Sequence, residues 1–165
     1  MPSQRWRLSI AALPLFLACS HDRGDPLDID VDGLEVPVGA ELQEWLAAGG
    51  YQDLPGESQI HESSGPHGRV RSFLSVGLEE SLAAGGEHPR GVASIKELYD
   101  GDRLNGWAVS VKIDDDSADG EGWYWYEVFD TAPDATPWVD GTGADHCADC
   151  HGSGRDYIRL PYPLE

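Results

Sequence analysis

The sequence predicts an α+β domain, built mainly on an antiparallel β-sheet with a few short helices. Four segments alternate apolar with polar positions, carry β-branched and aromatic residues, and are bounded by Gly and Asp, which is the pattern of half-buried strands. Two other segments are rich in helix-forming residues and end in pairs of glycines. Helices followed by strands and a hairpin in this order favour an antiparallel sheet over an all-helical bundle.

The helices are predicted from Gly39 to Gly50, where Glu41 to Ala48 is followed by Gly49-Gly50, and from Leu78 to Ala84. The strands are predicted at residues 70–76, 92–99, 107–113 and 123–129. The last two strands are joined by the acidic segment from Asp114 to Gly122, which we interpret as a solvated hairpin loop, with a metal site as the less favoured alternative.

The N-terminus has the pattern of an export signal. Arg5 and Arg7 precede an apolar run from Leu8 to Ala18, which is shorter than the roughly 20 residues that span a bilayer. The segment that ends at Cys19 resembles a bacterial lipobox, so Cys19 is predicted to be the lipidated first residue of the mature chain. The alternative is ordinary cleavage that leaves a free thiol. We expect an exported bacterial lipoprotein, periplasmic or on the outer surface and anchored to the membrane.

This interpretation divides the chain into a signal peptide (1–18), a lipidated acidic tether (19–38) and a folded domain (39–165). Asp28 to Gly33 imitates the start of a calcium loop, but Gly39 stands where a bidentate Glu is needed. Residues 1–18 contain two arginines and no acid, so their removal changes the formal charge from −19 to −21. A surface this acidic repels nucleic acid and anionic lipid, so attachment to the membrane would depend on the lipid at Cys19. The negative charge suits a basic redox partner, or it serves solubility alone.

The motif that carries chemistry is Cys147-Ala148-Asp149-Cys150-His151. C-x-x-C-H is the attachment signature of c-type haem: Cys147 and Cys150 bond to the porphyrin, and His151 is the proximal iron ligand. A disulfide would need no trailing His, and a zinc site would need further ligands. Of the 3 cysteines, one belongs to the lipobox and two to this motif. We therefore predict one covalent haem c.

The sixth iron ligand is left open by the sequence. The only Met is Met1, which is lost with the signal peptide, so the His/Met iron of typical electron carriers is excluded. A second histidine, a lysine or an open position remains, and the spacing of the candidate histidines singles out none of them: His21, His61, His67 and His88. His146 adjoins Cys147 on the proximal side and is poorly placed. We favour an open position, where a small molecule could bind.

The haem is expected to pack on one face of the sheet. Trp123, Trp125, Phe129 and Trp138 would then cover it, although aromatic residues are also ordinary core. By alternation Lys96 lies on one face with Val92, Ser94 and Leu98, and it is either beside the porphyrin or exposed at a sheet edge.

Five stretches together resemble the cytochrome P-460 family, whose relatives include the cytochromes c′-beta: Gly91 to Leu98, Gly106 to Lys112, Gly122 to Tyr126, Cys147 to His151, and Asp156-Tyr157-Ile158 with Tyr162-Pro163-Leu164. The resemblance covers roughly residues 40–165. It implies a mainly antiparallel fold, a homodimer, one high-spin haem with an open distal site, and oxidation of hydroxylamine by the P-460 members. It also implies that Lys96 is the lysine that joins the porphyrin edge.

The distal carboxylate of the hydroxylamine-oxidising members aligns with Ala108, which cannot accept a proton. Glu97, Glu121 and Glu127 are substitutes to consider, and Glu127 shares the aromatic face with Trp123 and Trp125. The sequence thus predicts a haem protein that binds or oxidises hydroxylamine or nitric oxide. The competing interpretations are a bis-His electron-transfer cytochrome with an acidic docking surface and a haem-free lipoprotein.

Overall fold

A computed structural model describes residues 29–31 and 34–164. The predicted signal peptide, the predicted lipobox with Cys19 and most of the predicted tether lie outside the described residues. The described helices are α1 (Ala40–Ala47), α2 (Val76–Ala84) and α3 (Asp145–His151). The described strands are β1 (Ile29–Val31), β2 (Leu34–Val36), β3 (His61–Glu62), β4 (Arg69–Leu74), β5 (Ala93–Asp100), β6 (Arg103–Lys112), β7 (Trp123–Val128) and β8 (Val139–Thr142).

Strands β3 to β8 form one antiparallel sheet in which each strand pairs with its neighbours in the chain. The α+β architecture with a mainly antiparallel sheet is therefore confirmed. Strands β1 and β2 pair separately, and Val36 is buried in the core. The folded part therefore begins inside the segment that was predicted to be a tether.

The sheet has a hydrophobic cluster on each face. The first cluster contains Leu42 and Leu46 of α1, together with Ile95, Trp107 and Tyr126 of the central strands. The second cluster joins α2 and the C-terminal segment to Leu74, Trp123 and Trp125 on the opposite face. Because side chains alternate along each strand, Lys96 and Glu127 point to the face of the second cluster.

The structure corrects several of the predicted element boundaries. The predicted strand 70–76 ends at Leu74, because the Ser75 hydroxyl accepts a hydrogen bond from the Leu78 amide (3.3 Å) and starts α2 at Val76. Strand β6 begins at Arg103, earlier than predicted. Strand β8, which was not predicted, lies between β7 and the C-x-x-C-H motif, and the motif itself is helical. No helix in the described parts of the chain is both long and apolar enough to cross a membrane.

Candidate functional site

Helix α3 carries all three reactive side chains of the C-x-x-C-H motif. Asp145 lies in its first turn, where a carboxylate suits the helix dipole, and His151 lies in its last turn. Cys147 and His151 are four residues apart and so lie on one face of the helix. Cys147 packs against the second hydrophobic cluster, and the two thiols are not joined to each other. The helix therefore presents a thiol and an imidazole together towards the sheet.

The imidazole of His151 is held in one tautomer. Its Nδ1 lies 2.8 Å from the carbonyl oxygen of Tyr157. A carbonyl only accepts hydrogen bonds, so Nδ1 must carry the proton and donate it, which leaves the lone pair on Nε2. Histidines that bind metals are usually oriented in this way, by a hydrogen bond from the other ring nitrogen.

Three adjoining cavities meet between α3, the loop before β4 and the sheet, and all three are lined by His67 and His151. The largest has a volume of about 260 Å³ and is also lined by Cys147 and Cys150. A smaller one runs beneath it along the sheet and reaches Lys96 and Glu127. The predicted site residues Lys96, Glu127, Cys147, Cys150 and His151 are therefore brought together around one space.

The floor of this space is a row of register partners that crosses three strands. Lys96 of β5 pairs with Ala108 of β6, and Ala108 pairs with Glu127 of β7. Neighbouring strands are about 4.8 Å apart, so Lys96 and Glu127 stand roughly 10 Å apart at the backbone with only a methyl group between them. The small side chain of Ala108 thus leaves room above the centre of the row.

Lys96 is enclosed by the site and not exposed at an edge, because β5 lies between β4 and β6. Within residues 29–31 and 34–164 its amine has no hydrogen bond or ion pair. Desolvation by burial lowers the pKa of Lys96, an effect that the carboxylates of Glu57 and Glu127 oppose. A lysine in such surroundings is more readily deprotonated and therefore more nucleophilic than a solvated one.

Glu127 is buried and hydrogen-bonded to a histidine. Its Oε1 lies 3.0 Å from Nδ1 of His67, which comes from the loop before β4. The ring centroids of His67 and His151 are 6.3 Å apart. A neutral His67 that donates from Nδ1 to Glu127 keeps a lone pair on Nε2. The site therefore contains a second imidazole that is itself oriented by a carboxylate.

The structure shows which of the candidate histidines lie near His151, a choice that the sequence spacing could not make. His61 lies outside the site and contacts Glu57 (3.0 Å). His88 is buried elsewhere on the same face, with Nδ1 2.7 Å from the Ser81 hydroxyl. His146 is exposed and stacks on Trp138, with ring centroids 4.6 Å apart. Of these four histidines, His67 lines all three cavities beside His151, whereas His146 lines only the largest one. His21 lies outside the described residues.

The aromatic residues divide between the floor and the rim of the site. Trp125 packs edge-on against the His151 ring with centroids 4.9 Å apart, and Trp123 continues the buried row (6.2 Å to Trp125). Phe129 and Trp138 are 54% and 62% exposed and line the mouth of the largest cavity. Phe129 and Trp138 are exposed because Phe129 lies beyond the end of β7 and Trp138 precedes β8. That the four aromatic residues cover a haem stays a prediction.

Burial sets the protonation states of the motif. Desolvation lowers the pKa of His151 to about 4, so its imidazole is neutral at ordinary pH. Desolvation also raises the pKa of Cys147 to about 11, so its thiol is protonated. Neutral imidazole is the form that can bind a metal ion. Of the other candidate acids, Glu97 faces the opposite cluster and accepts hydrogen bonds from Tyr51 (2.6 Å) and Tyr99 (2.7 Å).

Sequence reasoning missed the role of Arg159 and could not choose His67. Arg159 lines the same space and donates a hydrogen bond to Cys150 Sγ (2.8 Å). Its position two residues beyond Tyr157 gives no local signal. Across the described residues, no group of three or more His, Cys, Asp and Glu side chains is arranged to hold a metal ion by itself.

Comparison with known proteins adds no assignment. No protein-family model matches the chain, and no curated protein is significantly similar to it.

Proposed function

We propose that this chain is an exported c-type haem protein whose cavity binds a small nitrogen compound, hydroxylamine or nitric oxide, with hydroxylamine as the candidate substrate for oxidation. The observation that carries the proposal is His151. Its Nδ1 is committed to the Tyr157 carbonyl, and its neutral Nε2 borders a cavity that two cysteine thiols also line.

The donor set fits a haem. Cys147 and Cys150 would bond to the porphyrin, and Nε2 of His151 would be the axial ligand. The cavity next to the motif is lined mainly by apolar and aromatic groups, among them Pro66, Phe129 and Trp138 at its mouth. When bound, a haem supplies an iron that can take a small ligand and exchange single electrons. The acidic surface suits a positively charged redox partner.

Lys96 is the residue that the resemblance to cytochrome P-460 would cross-link to the porphyrin edge. Its unpaired amine, its lowered pKa and its place on the cavity wall support that role. Peptide mapping should find a second covalent attachment in the wild type that Lys96→Ala abolishes. An unchanged map and an unchanged absorption spectrum in Lys96→Ala would contradict the cross-link.

Glu127 and His67 are the groups that can accept a proton from hydroxylamine. Ala108 has no acid, but Glu127 stands beside it in register and is held by His67. A carboxylate in hydrogen bond contact with an imidazole can take a proton and pass it on. Glu127 thus supplies, from the next strand, the function that Ala108 lacks.

The haem and its distal access are tested by absorption spectra of the resting, reduced and nitric-oxide-treated protein, with a haem stain on a denaturing gel. We expect a covalent haem in the wild type, none in Cys147→Ser/Cys150→Ser, and a high-spin resting spectrum that changes with nitric oxide. Wild-type protein without covalent haem would favour the haem-free lipoprotein.

The proton acceptor is tested by hydroxylamine-dependent reduction of an artificial electron acceptor. Glu127→Gln should lower the rate by about 10²-fold to 10⁴-fold. Glu97→Gln is the matched control, because Glu97 is also a buried acid of the central sheet but faces away from the cavity. Equal rates in the two variants would remove Glu127 from the reaction.

A second candidate function is electron transfer through a bis-His haem, and one observation favours it. Two imidazoles on opposite sides of one iron have centroids roughly 6 Å apart, given metal–nitrogen bonds of about 2 Å. The 6.3 Å between His67 and His151 matches that separation. A low-spin resting spectrum that becomes high-spin in His67→Ala, but not in the control His61→Ala, would select this function over the open site.

A further inference from the structure

A buried ion pair lies on the same sheet face as the cavity, outside it. Lys112 Nζ lies 2.5 Å from Asp156 Oδ2, and the two side chains are 0% and 4% exposed. The same carboxylate oxygen accepts the backbone N–H of His88 (2.7 Å), and Lys112 also donates to the Ser117 hydroxyl (2.6 Å). An ion pair without solvent contact holds its geometry firmly but carries a large desolvation cost.

The backbone next to this ion pair is strained. Asp156 and Tyr157 both have positive φ angles, 44° and 65°. They are the central residues of a tight turn whose flanking residues, Arg155 and Ile158, exchange both backbone hydrogen bonds (3.1 and 2.9 Å). Such turns favour Asn or Asp first and Gly second, so a tyrosine in the second position is unusual. Residues persist in this region when the surrounding structure holds them there.

The strained turn contains the carbonyl group of Tyr157, which orients the candidate iron ligand His151. The carbonyl of Tyr157 accepts the Nδ1 proton of His151 at 2.8 Å. A change in the backbone angles of Tyr157 would rotate this carbonyl away from the imidazole. The Lys112–Asp156 pair therefore lies one peptide unit from the hydrogen bond that fixes the tautomer and the donor strength of His151.

We propose that Lys112 and Asp156 are positioning residues, which hold the Asp156-Tyr157 turn so that the Tyr157 carbonyl faces Nδ1 of His151. The hydrogen bond makes Nε2 a stronger electron donor, which stabilises the oxidised form of a bound metal. The inference rests on the proposed function, since it requires His151 to be an iron ligand. This role explains why the Lys112–Asp156 ion pair, with its large desolvation cost, lies beside a turn that contributes no side chain to the C-x-x-C-H motif.

Two substitutions separate this mechanism from a simple effect of charge. Asp156→Asn keeps an acceptor and tolerates a positive φ but weakens the hold of Lys112 on the turn. Lys112→Met removes the cation. Loss of a negative charge alone would raise the reduction potential of the haem, and loss of a positive charge alone would lower it. Loosening of the turn instead raises the potential in both variants, because His151 becomes a weaker donor.

The experiment measures the reduction potential of the haem-loaded protein and the iron–histidine stretching band of its reduced form. Asp149→Asn is the control for Asp156→Asn, because it also removes one negative charge, on the exposed side of α3. Asp156→Asn should raise the potential above this control, and Lys112→Met should raise it above the wild type, each by at least about 59 mV, which is tenfold in a one-electron equilibrium. Both variants should also move the band to lower frequency. If Lys112→Met does not fold, Asp156→Asn supplies both readouts.

Potentials that match the control, or that move in opposite directions in the two variants, would overturn the positioning role while the haem remains attached. Wild-type protein without covalent haem would overturn the proposed function as well. The haem stain therefore separates the two failures.

Discussion

Substitution of Lys112 by Met should destabilise the domain strongly, whether or not the turn has a functional role. The change leaves the Asp156 carboxylate 4% exposed and without its cation. Breaking a buried pair in this way costs about 3–5 kcal/mol, because the remaining charge is neither solvated nor paired. Domains of this size are stable by only about 5–15 kcal/mol, so the loss would be a large part of the total. Urea denaturation followed by far-ultraviolet circular dichroism measures it.

Two further variants show that the loss comes from burial of the charge. In Lys112→Met/Asp156→Asn the uncompensated charge is absent, so about 2 kcal/mol of the loss should be recovered. Arg69→Met is the control for an exposed pair, since the Arg69–Asp102 ion pair (2.7 Å) joins side chains that are 34% and 89% exposed. It should cost less than about 1 kcal/mol. A Lys112→Met loss as small as that of Arg69→Met would refute the reasoning.

Three other predictions concern the sheet and its buried groups. Gly106→Ala should unfold the pairing of β6 with β7, because a Cβ there would come within 1.9 Å of the Val128 carbonyl oxygen; a melting temperature equal to the wild type would contradict this. Desolvation lowers the pKa of His88, so the contribution of its neutral form to the free energy of unfolding should be fully present above the ordinary histidine pKa of about 6.5. That contribution should be lost as the pH drops below this value. Urea denaturation at several pH values measures it, and His88→Gln should remove this part of the pH dependence. Ala108→Glu should restore part of the hydroxylamine oxidation lost in Glu127→Gln, whereas Ala108→Gln should not, and equal rates in the two double variants would argue against a proton acceptor in this row.

The strands and their faces could be predicted because their signal is local. Alternation with period two separated Lys96 from Glu97 and grouped Glu127 with Trp123 and Trp125, and the structure confirms both assignments. That Lys96 and Glu127 share a face follows only from the register of the sheet. The helical state of the motif was not predicted, since α3 has only seven residues and includes poor helix formers such as Cys, His and Asp. Packing of α3 against the second cluster, and not propensity, explains the helix.

The contacts that orient the imidazoles were beyond sequence reasoning for a different reason. His67 belongs to a loop rich in Gly, Ser and Pro, and it reaches the site only because that loop folds over the sheet. The group that orients His151 is a backbone carbonyl, which every residue has, so the identity of Tyr157 does not indicate it. The signal that could have been used is weaker: Asp156-Tyr157 follows the glycine-containing stretch Gly152-Ser153-Gly154, which indicates a turn.

The register of the sheet also bears on how the missing acid at residue 108 should be interpreted. Alignment along the chain with the hydroxylamine-oxidising members of the cytochrome P-460 family, which the sequence resembles, places alanine at the position of their carboxylate. Taken alone, that alignment indicates a lost proton acceptor. In an antiparallel sheet, however, register partners on adjacent strands lie side by side on one face, about 5 Å apart. Glu127 is the register partner of Ala108 and points into the same cavity. A carboxylate can therefore move by one strand and remain within reach of the same bound molecule, provided that the vacated position is small. Alanine at residue 108 meets that condition, so the acid is better sought across the sheet than along the chain.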